Sequence, residues 1–145
     1  MSDQNMKYYF GSCLCGAITY KVTHIEARMA HCHCSMCRKF HGAAFATFGE
    51  AKASNFQWLT GRELLKSYTA YNGTTRQFCS VCGSSLTFSP ANDEHPFVEF
   101  SLGSLDTDIS LRPDAHIYVG SKANWVELHD ELPKYVDGRG SELVK

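Results

Sequence analysis

Seven cysteines in three tight groups constrain this 145-residue chain more than any other feature. They stand as Cys13 and Cys15, then Cys32, Cys34 and Cys37, then Cys79 and Cys82. An odd number cannot pair completely into disulfides within one chain. The N-terminus shows no charged start followed by an apolar stretch, and no apolar run approaches the roughly 18 residues of a membrane span. The expected location is the reducing cytoplasm, where clustered cysteines read as metal ligands or catalysts before disulfides.

Charge removes two further classes. Lys plus Arg number 14 against 15 acidic residues, a formal net of −1, and the longest basic run is Arg38-Lys39. That balance lacks the footprint of a nucleic-acid binder and the polybasic patch of a membrane-surface protein. Neither partner is expected.

The spacing of apolar residues predicts a mainly β chain. Residues 17–22, 65–71 and 97–100 alternate in chemistry and are rich in aromatic and β-branched side chains, as half-buried strands require. Turn signals separate them, among them Thr60-Gly61, Asn72-Gly73, Cys82-Gly83 and Ser89-Pro90. The most helix-like stretch, Ser35 to His41, is short. With 43% hydrophobic residues and ordinary length, the chain is expected to form one zinc-stapled domain of short antiparallel strands and hairpins over residues 5–137. Residues 138–145 are expected as a flexible tail. Trp58, Tyr68, Phe78 and Trp125 are expected in the core.

The cysteines pose a coordination problem. In a strand, residues two apart share a face, so Cys13 and Cys15 can reach one metal. Cys79-Ser80-Val81-Cys82 is a knuckle, and Gly83 after it allows the tight turn that brings backbone amides to the sulfurs. Structural zinc sites are closed tetrahedra, whereas catalytic zinc has three protein ligands and an open position. Seven thiols divide naturally as four plus three: Cys13, Cys15, Cys79 and Cys82 in a closed site, and Cys32, Cys34 and Cys37 in an open one. Pairing Cys34 and Cys37 with Cys79 and Cys82 would also make a four-cysteine ribbon. A second structural site, closed by His31, His33 or His41, is the lesser alternative for the triplet. Thiolate-rich tetrahedra favour zinc.

The order of these motifs resembles the glutathione-dependent formaldehyde-activating enzyme family, whose domain also occurs in centromere protein V. The similarity rests on Gly11-Ser12-Cys13-Leu14-Cys15-Gly16 with Tyr20, on Cys32 through Lys39 with Gly42, and on Arg76 through Gly83. It continues in Gly103 to Asp106, His116-Ile117, Lys122, Trp125, Asp130 and Leu132-Pro133. The resemblance implies a β-rich fold with two zinc ions per chain. Cys13, Cys15, Cys79 and Cys82 would hold the structural one, and Cys32, Cys34 and Cys37 the catalytic one.

It also implies a carbon–sulfur lyase activity: a small-molecule thiol such as glutathione adds to formaldehyde to give S-(hydroxymethyl)glutathione. Glutathione's carboxylates need cationic partners, for which Arg38, Lys39, Arg76 and Lys122 are candidates. His33, His41 and Tyr68 are candidate proton donors. A related enzyme using another thiol, and a zinc-stabilised binding module without catalysis, are the competing readings.

Overall fold

The computed structural model describes residues 7–91 and 95–144. It is mainly β, as the alternating runs predict, and among these residues it has a single α-helix, α1 (Ser35–His41). The chain divides into two compact units, each built from two separate stretches.

The first unit takes the chain up to Ala27 together with Gly49–Ser110. In it β1 (Tyr9–Ser12), β2 (Thr19–Val22) and β5 (Phe56–Thr60) form an antiparallel sheet in the order β1-β2-β5. The end of β4 (Ala46–Lys52) belongs here too, with an antiparallel run of β6 (Leu65–Thr69), β7 (Thr75–Cys79), β8 (Ser85–Ser89) and β9 (Phe97–Ser101).

Tyr20 organises one part of the core. It is fully buried, stacks on Phe56 at 4.9 Å between ring centroids, and packs edge-on against Trp58. Its hydroxyl meets the Ser104 hydroxyl at 2.6 Å, so the phenol is buried with its polar end satisfied. A second cluster joins Cys13, Ile18, Cys79 and Leu86, with Trp58, Leu64 and Leu65 against it. Two of the expected core aromatics lie elsewhere: Tyr68 is 54% and Trp125 70% exposed.

Gly61 fixes the approach of two loops in this unit. Its φ is +74°, and a Cβ there would lie 2.1 Å from the carbonyl oxygen of Ala17. The Thr60 hydroxyl donates to that same carbonyl at 3.2 Å, so this contact anchors the loop carrying Cys13 and Cys15. Gly61→Ala combines left-handed strain with a backbone collision, and is expected to destabilise the chain by about 2–5 kcal/mol. A urea midpoint unchanged from wild type would contradict this.

The second unit takes Arg28–Phe48 and the chain from Leu111 onward. Here β3 (Ala30–Cys32) lies between the start of β4 and β10 (Ala115–Ile117). The pairing to β4 is antiparallel, but that to β10 is parallel, with His116 opposite His31 and Ile117 opposite Cys32. It stands apart from the pairings of β1 with β2, β2 with β5, β3 with β4 and those along β6, β7, β8 and β9, which are antiparallel as expected. Parallel neighbours need a long crossover rather than a hairpin, and the chain between β3 and β10 supplies one. Helix α1 begins on Cys34, whose sulfur accepts the Cys37 N–H at 3.2 Å, and ends at Gly42 with φ 59°.

Residues 138–144, expected as a flexible tail, fold back on this unit. Val136 N–H donates to the Glu142 carbonyl and Val144 N–H to that of Lys134, each at 2.8 Å. The Arg139 guanidinium meets Asp114 at 2.9 Å. Among the described residues no helix is long and apolar enough to cross a membrane.

Candidate metal centres

In the first unit two tight turns bring four sulfurs together. Cys13 and Cys15 lie just beyond the end of β1, in a turn rather than in the strand expected of them. The turn is closed by Gly16 N–H on the Cys13 carbonyl at 3.0 Å, with Gly16 at φ 81°. The second turn repeats the design: Gly83 N–H donates to the Cys79 carbonyl at 2.8 Å. Backbone amides then reach the sulfurs, Ile18 N–H to Cys13 at 3.3 Å, Val81 N–H to Cys79 at 3.3 Å, and Cys82 N–H to Cys79 at 3.4 Å. Ser84 ties the turns together, its hydroxyl oxygen accepting Leu14 N–H at 2.8 Å and lying 3.3 Å from Cys82 Sγ.

The ligand atoms of Cys13, Cys15, Cys79 and Cys82 all lie within 4.8 Å of one another. Cys13 to Cys15 is 3.6 Å and Cys15 to Cys79 is 3.9 Å, against an edge of about 3.8 Å for a tetrahedron with Zn–S bonds of ~2.3 Å. The charge pattern points the same way. Hydrogen bonding from Ser84, against burial, holds the Cys82 thiol down at about 5. The backbone N–H of Ala17 favours the Cys15 thiolate, but burial and the sulfurs of Cys13, Cys82 and Cys79 push it up to about 11. Burial opposes ionisation of Cys13, but the Ile18 N–H and the Cys15 and Cys79 sulfurs outweigh it and hold this thiol below its ordinary value too. Negative charge is accommodated on Cys82 and Cys13 but not on Cys15, so full ionisation of the cluster calls for a cation.

The second unit brings Cys32, Cys34 and Cys37 together, again with sulfurs within 4.8 Å, and Cys37 to Cys32 is 3.4 Å. Among the described residues, no histidine, carboxylate or further thiol joins this group. The neighbouring Cys34 and Cys37 thiols, with burial, push the Cys32 thiol strongly up. Three sulfurs sharing protons in a mostly buried place fit a divalent cation for the same reason. No two of the seven cysteines form a disulfide. Both clusters can therefore hold a metal ion. A third grouping, Glu50, His95 and Glu99 in the first unit, is of a different, oxygen-rich kind.

The remaining candidates are placed unevenly. Arg38 and Lys39 follow Cys37 in the last turn of α1. Lys122 turns its ammonium onto the backbone carbonyls of Ala123 and Val126, at 3.2 and 2.5 Å. Arg76, expected beside a ligand carboxylate, is instead 3% exposed in β7, its guanidinium 4.8 Å over the Phe88 ring. A guanidinium buried against a ring is part of the sheet's packing and offers little to a solvent-borne ligand. Tyr68 lies in β6 of the first unit, while His33 and His41 share the second unit with the triplet.

One residue near the triplet gave no signal in the sequence. Tyr118 follows β10, adopts φ 57° and ψ 36°, and is the one non-glycine residue with positive φ among those described. Burial, then the Cys32 and Cys34 sulfurs, raise its phenol. A bulky side chain in the left-handed region has no compositional signature.

A mainly β chain with a four-sulfur cluster and a three-sulfur cluster, each able to hold a metal ion, narrows the class to thiol-rich proteins of this architecture. The chain belongs to the glutathione-dependent formaldehyde-activating enzyme family, whose profile matches residues 8–121. A Halomonas elongata protein named, provisionally, as a glutathione-dependent formaldehyde-activating enzyme is 32% identical, over 81% of this chain and 79% of its own length. A Schizosaccharomyces pombe protein named only as an uncharacterized lyase is 30% identical, over 63% of this chain and 65% of its own. A crystal structure of a Rhodobacter sphaeroides protein shares the fold, with a TM-score of 0.57 and 24% identity over 70% of this chain and 91% of that one.

Proposed function

We propose that this chain is a zinc-dependent carbon–sulfur lyase that joins a glutathione-type thiol to formaldehyde or a related small electrophile. The observation that carries this is the contrast between the clusters: four protein sulfurs converge in one, three in the other. The first suits a closed structural site, and the second leaves a coordination position for an exogenous thiol. When bound at the triplet, zinc supplies the Lewis acidity that keeps an entering thiol ionised at neutral pH.

The chain's own residues do the rest. Cys32, Cys34 and Cys37 fix where the thiol sulfur sits, since Cys32 ends β3 and the other two are set by the first turn of α1. Arg38 and Lys39, which follow Cys37 in α1, would offset the excess negative charge of three thiolates and pair with substrate carboxylates. In the reaction the thiolate sulfur forms a bond to the carbonyl carbon. The C=O π pair moves to oxygen, and a proton from water or a side chain completes the hydroxymethyl thioether. Thiols and formaldehyde already react unaided, so the contribution is proximity and thiol activation.

A thiol panel tests the proposal. The zinc-loaded chain is mixed with formaldehyde and glutathione, cysteine or 2-mercaptoethanol, and adduct exchange is followed by NMR. Acceleration over buffer is expected, greatest with glutathione. No acceleration with any thiol would remove the enzymatic reading, and equal acceleration with all would remove the glutathione assignment.

A further inference from the structure

A string of hydrogen-bonded side chains in the second unit leads from the triplet loop to the surface, and the proposed chemistry does not use it. His33, between Cys32 and Cys34, is completely buried, and His116 is 1% exposed. His33 Nε2 lies 2.8 Å from His116 Nδ1, and His116 Nε2 lies 2.8 Å from Asp130 Oδ2. Asp130 is anchored in turn, its Oδ1 accepting Leu132 N–H and the Lys134 ammonium, each at 3.2 Å.

The carboxylate gives the string a direction. An ionised carboxylate only accepts, so His116 donates from Nε2. Neutral imidazole then has its lone pair on Nδ1, and that nitrogen accepts from His33 Nε2. Asp130 thus selects the tautomer of both rings. Ring contacts complete the seat: Phe45 lies 4.8 Å from His33 and 5.8 Å from His116 between centroids, and His31 lies 4.8 Å from His116. The His33 backbone N–H also donates to the Ile117 carbonyl at 2.9 Å.

This matters for the sulfurs because of chain alternation. Along the extended segment that runs from β3 into α1, successive side chains point to opposite sides. Fixing His33 on one side fixes Cys32 and Cys34 on the other. We propose that His116 and Asp130 are positioning residues, holding Cys32-His33-Cys34 so that three sulfurs are preset around one metal ion. This rests on reading the triplet as a metal site, and not on the thiol or aldehyde that reacts there. Asp130 lies beyond residues 8–121, the span that the family profile matches.

The test uses Co²⁺ in place of Zn²⁺ on the full chain, with affinity from chelator competition and geometry from the thiolate-to-metal and d–d absorption bands. The four-sulfur cluster is read separately in a Cys34→Ser chain. Asp130→Ala and His116→Phe are each expected to weaken Co²⁺ at the triplet about 10–100-fold and to shift its bands, with the other cluster unchanged. Asp130→Asn, which keeps an acceptor on a residue already partly exposed, is expected to recover much of the affinity and the native bands. Unchanged triplet affinity and spectrum in Asp130→Ala and His116→Phe would overturn the proposal. So would equal weakening of both clusters, or no recovery in Asp130→Asn. Activity is not read, so this result and that of the thiol panel stand or fall separately.

Discussion

Replacing Cys79 by serine is expected to cost the chain its fold. Cys79 is completely buried at the end of β7, inside the apolar cluster with Cys13, Ile18 and Leu86. Its sulfur accepts two backbone N–H groups and stands 3.9 Å from Cys15, a residue 64 positions earlier. A cross-link across a loop of that length removes about 4 kcal/mol of unfolded-state entropy in the chain-entropy account. Structural zinc in small domains contributes about 10–16 kcal/mol of apparent binding free energy, against total stabilities of about 5–15 kcal/mol. With zinc in the four-sulfur cluster, as proposed, the metal term would be as large as everything else combined. The Cys79→Ser chain should lose the metal of that cluster, flatten in near-UV circular dichroism, and show no cooperative melting transition. Wild-type melting in this variant would mean that the cluster is not a structural metal site.

What was legible in the sequence follows the range of the interactions involved. β2, β6 and β9 are written in local alternation, and α1 in a short run ending at glycine, so their existence could be read directly. The two sulfur turns were half legible. Gly83 announces a tight turn after Cys82, but only the folded backbone shows that Cys13 and Cys15 sit in a turn closed by Gly16 rather than along a strand. Nothing local announces that β10 runs parallel to β3, because three-residue strands carry almost no periodic signal and the partners come from distant segments. The same pairing is what brings His116 next to His33, 83 residues away, so the string to Asp130 is invisible in the sequence although His33, His116 and Asp130 all stand in family-like motifs. The burial of Arg76 over Phe88 was illegible for a related reason: it depends on the pairing of β7 with β8, not on the residues next to it in sequence.

Cys34→Ser is expected to do the opposite of Cys79→Ser: spare the fold and abolish the chemistry. Cys34 is half-buried and caps α1, its sulfur accepting the Cys37 N–H. Serine is among the best residues for that position, so the helix loses little and the cap bond is kept by an oxygen. As a ligand the exchange is severe. A serine hydroxyl is neither soft nor ionised near neutral pH, and two thiolates hold zinc far less firmly than three. The variant should melt within a few degrees of wild type and, on the proposed reading of two zinc sites, retain one zinc per chain. Its adduct exchange with glutathione and formaldehyde should fall to the rate in buffer. Unaltered exchange with a single zinc present would place the reacting centre somewhere other than the triplet. Loss of both metals together with the fold would make the triplet a structural site, and the division of labour between four sulfurs and three would then fail.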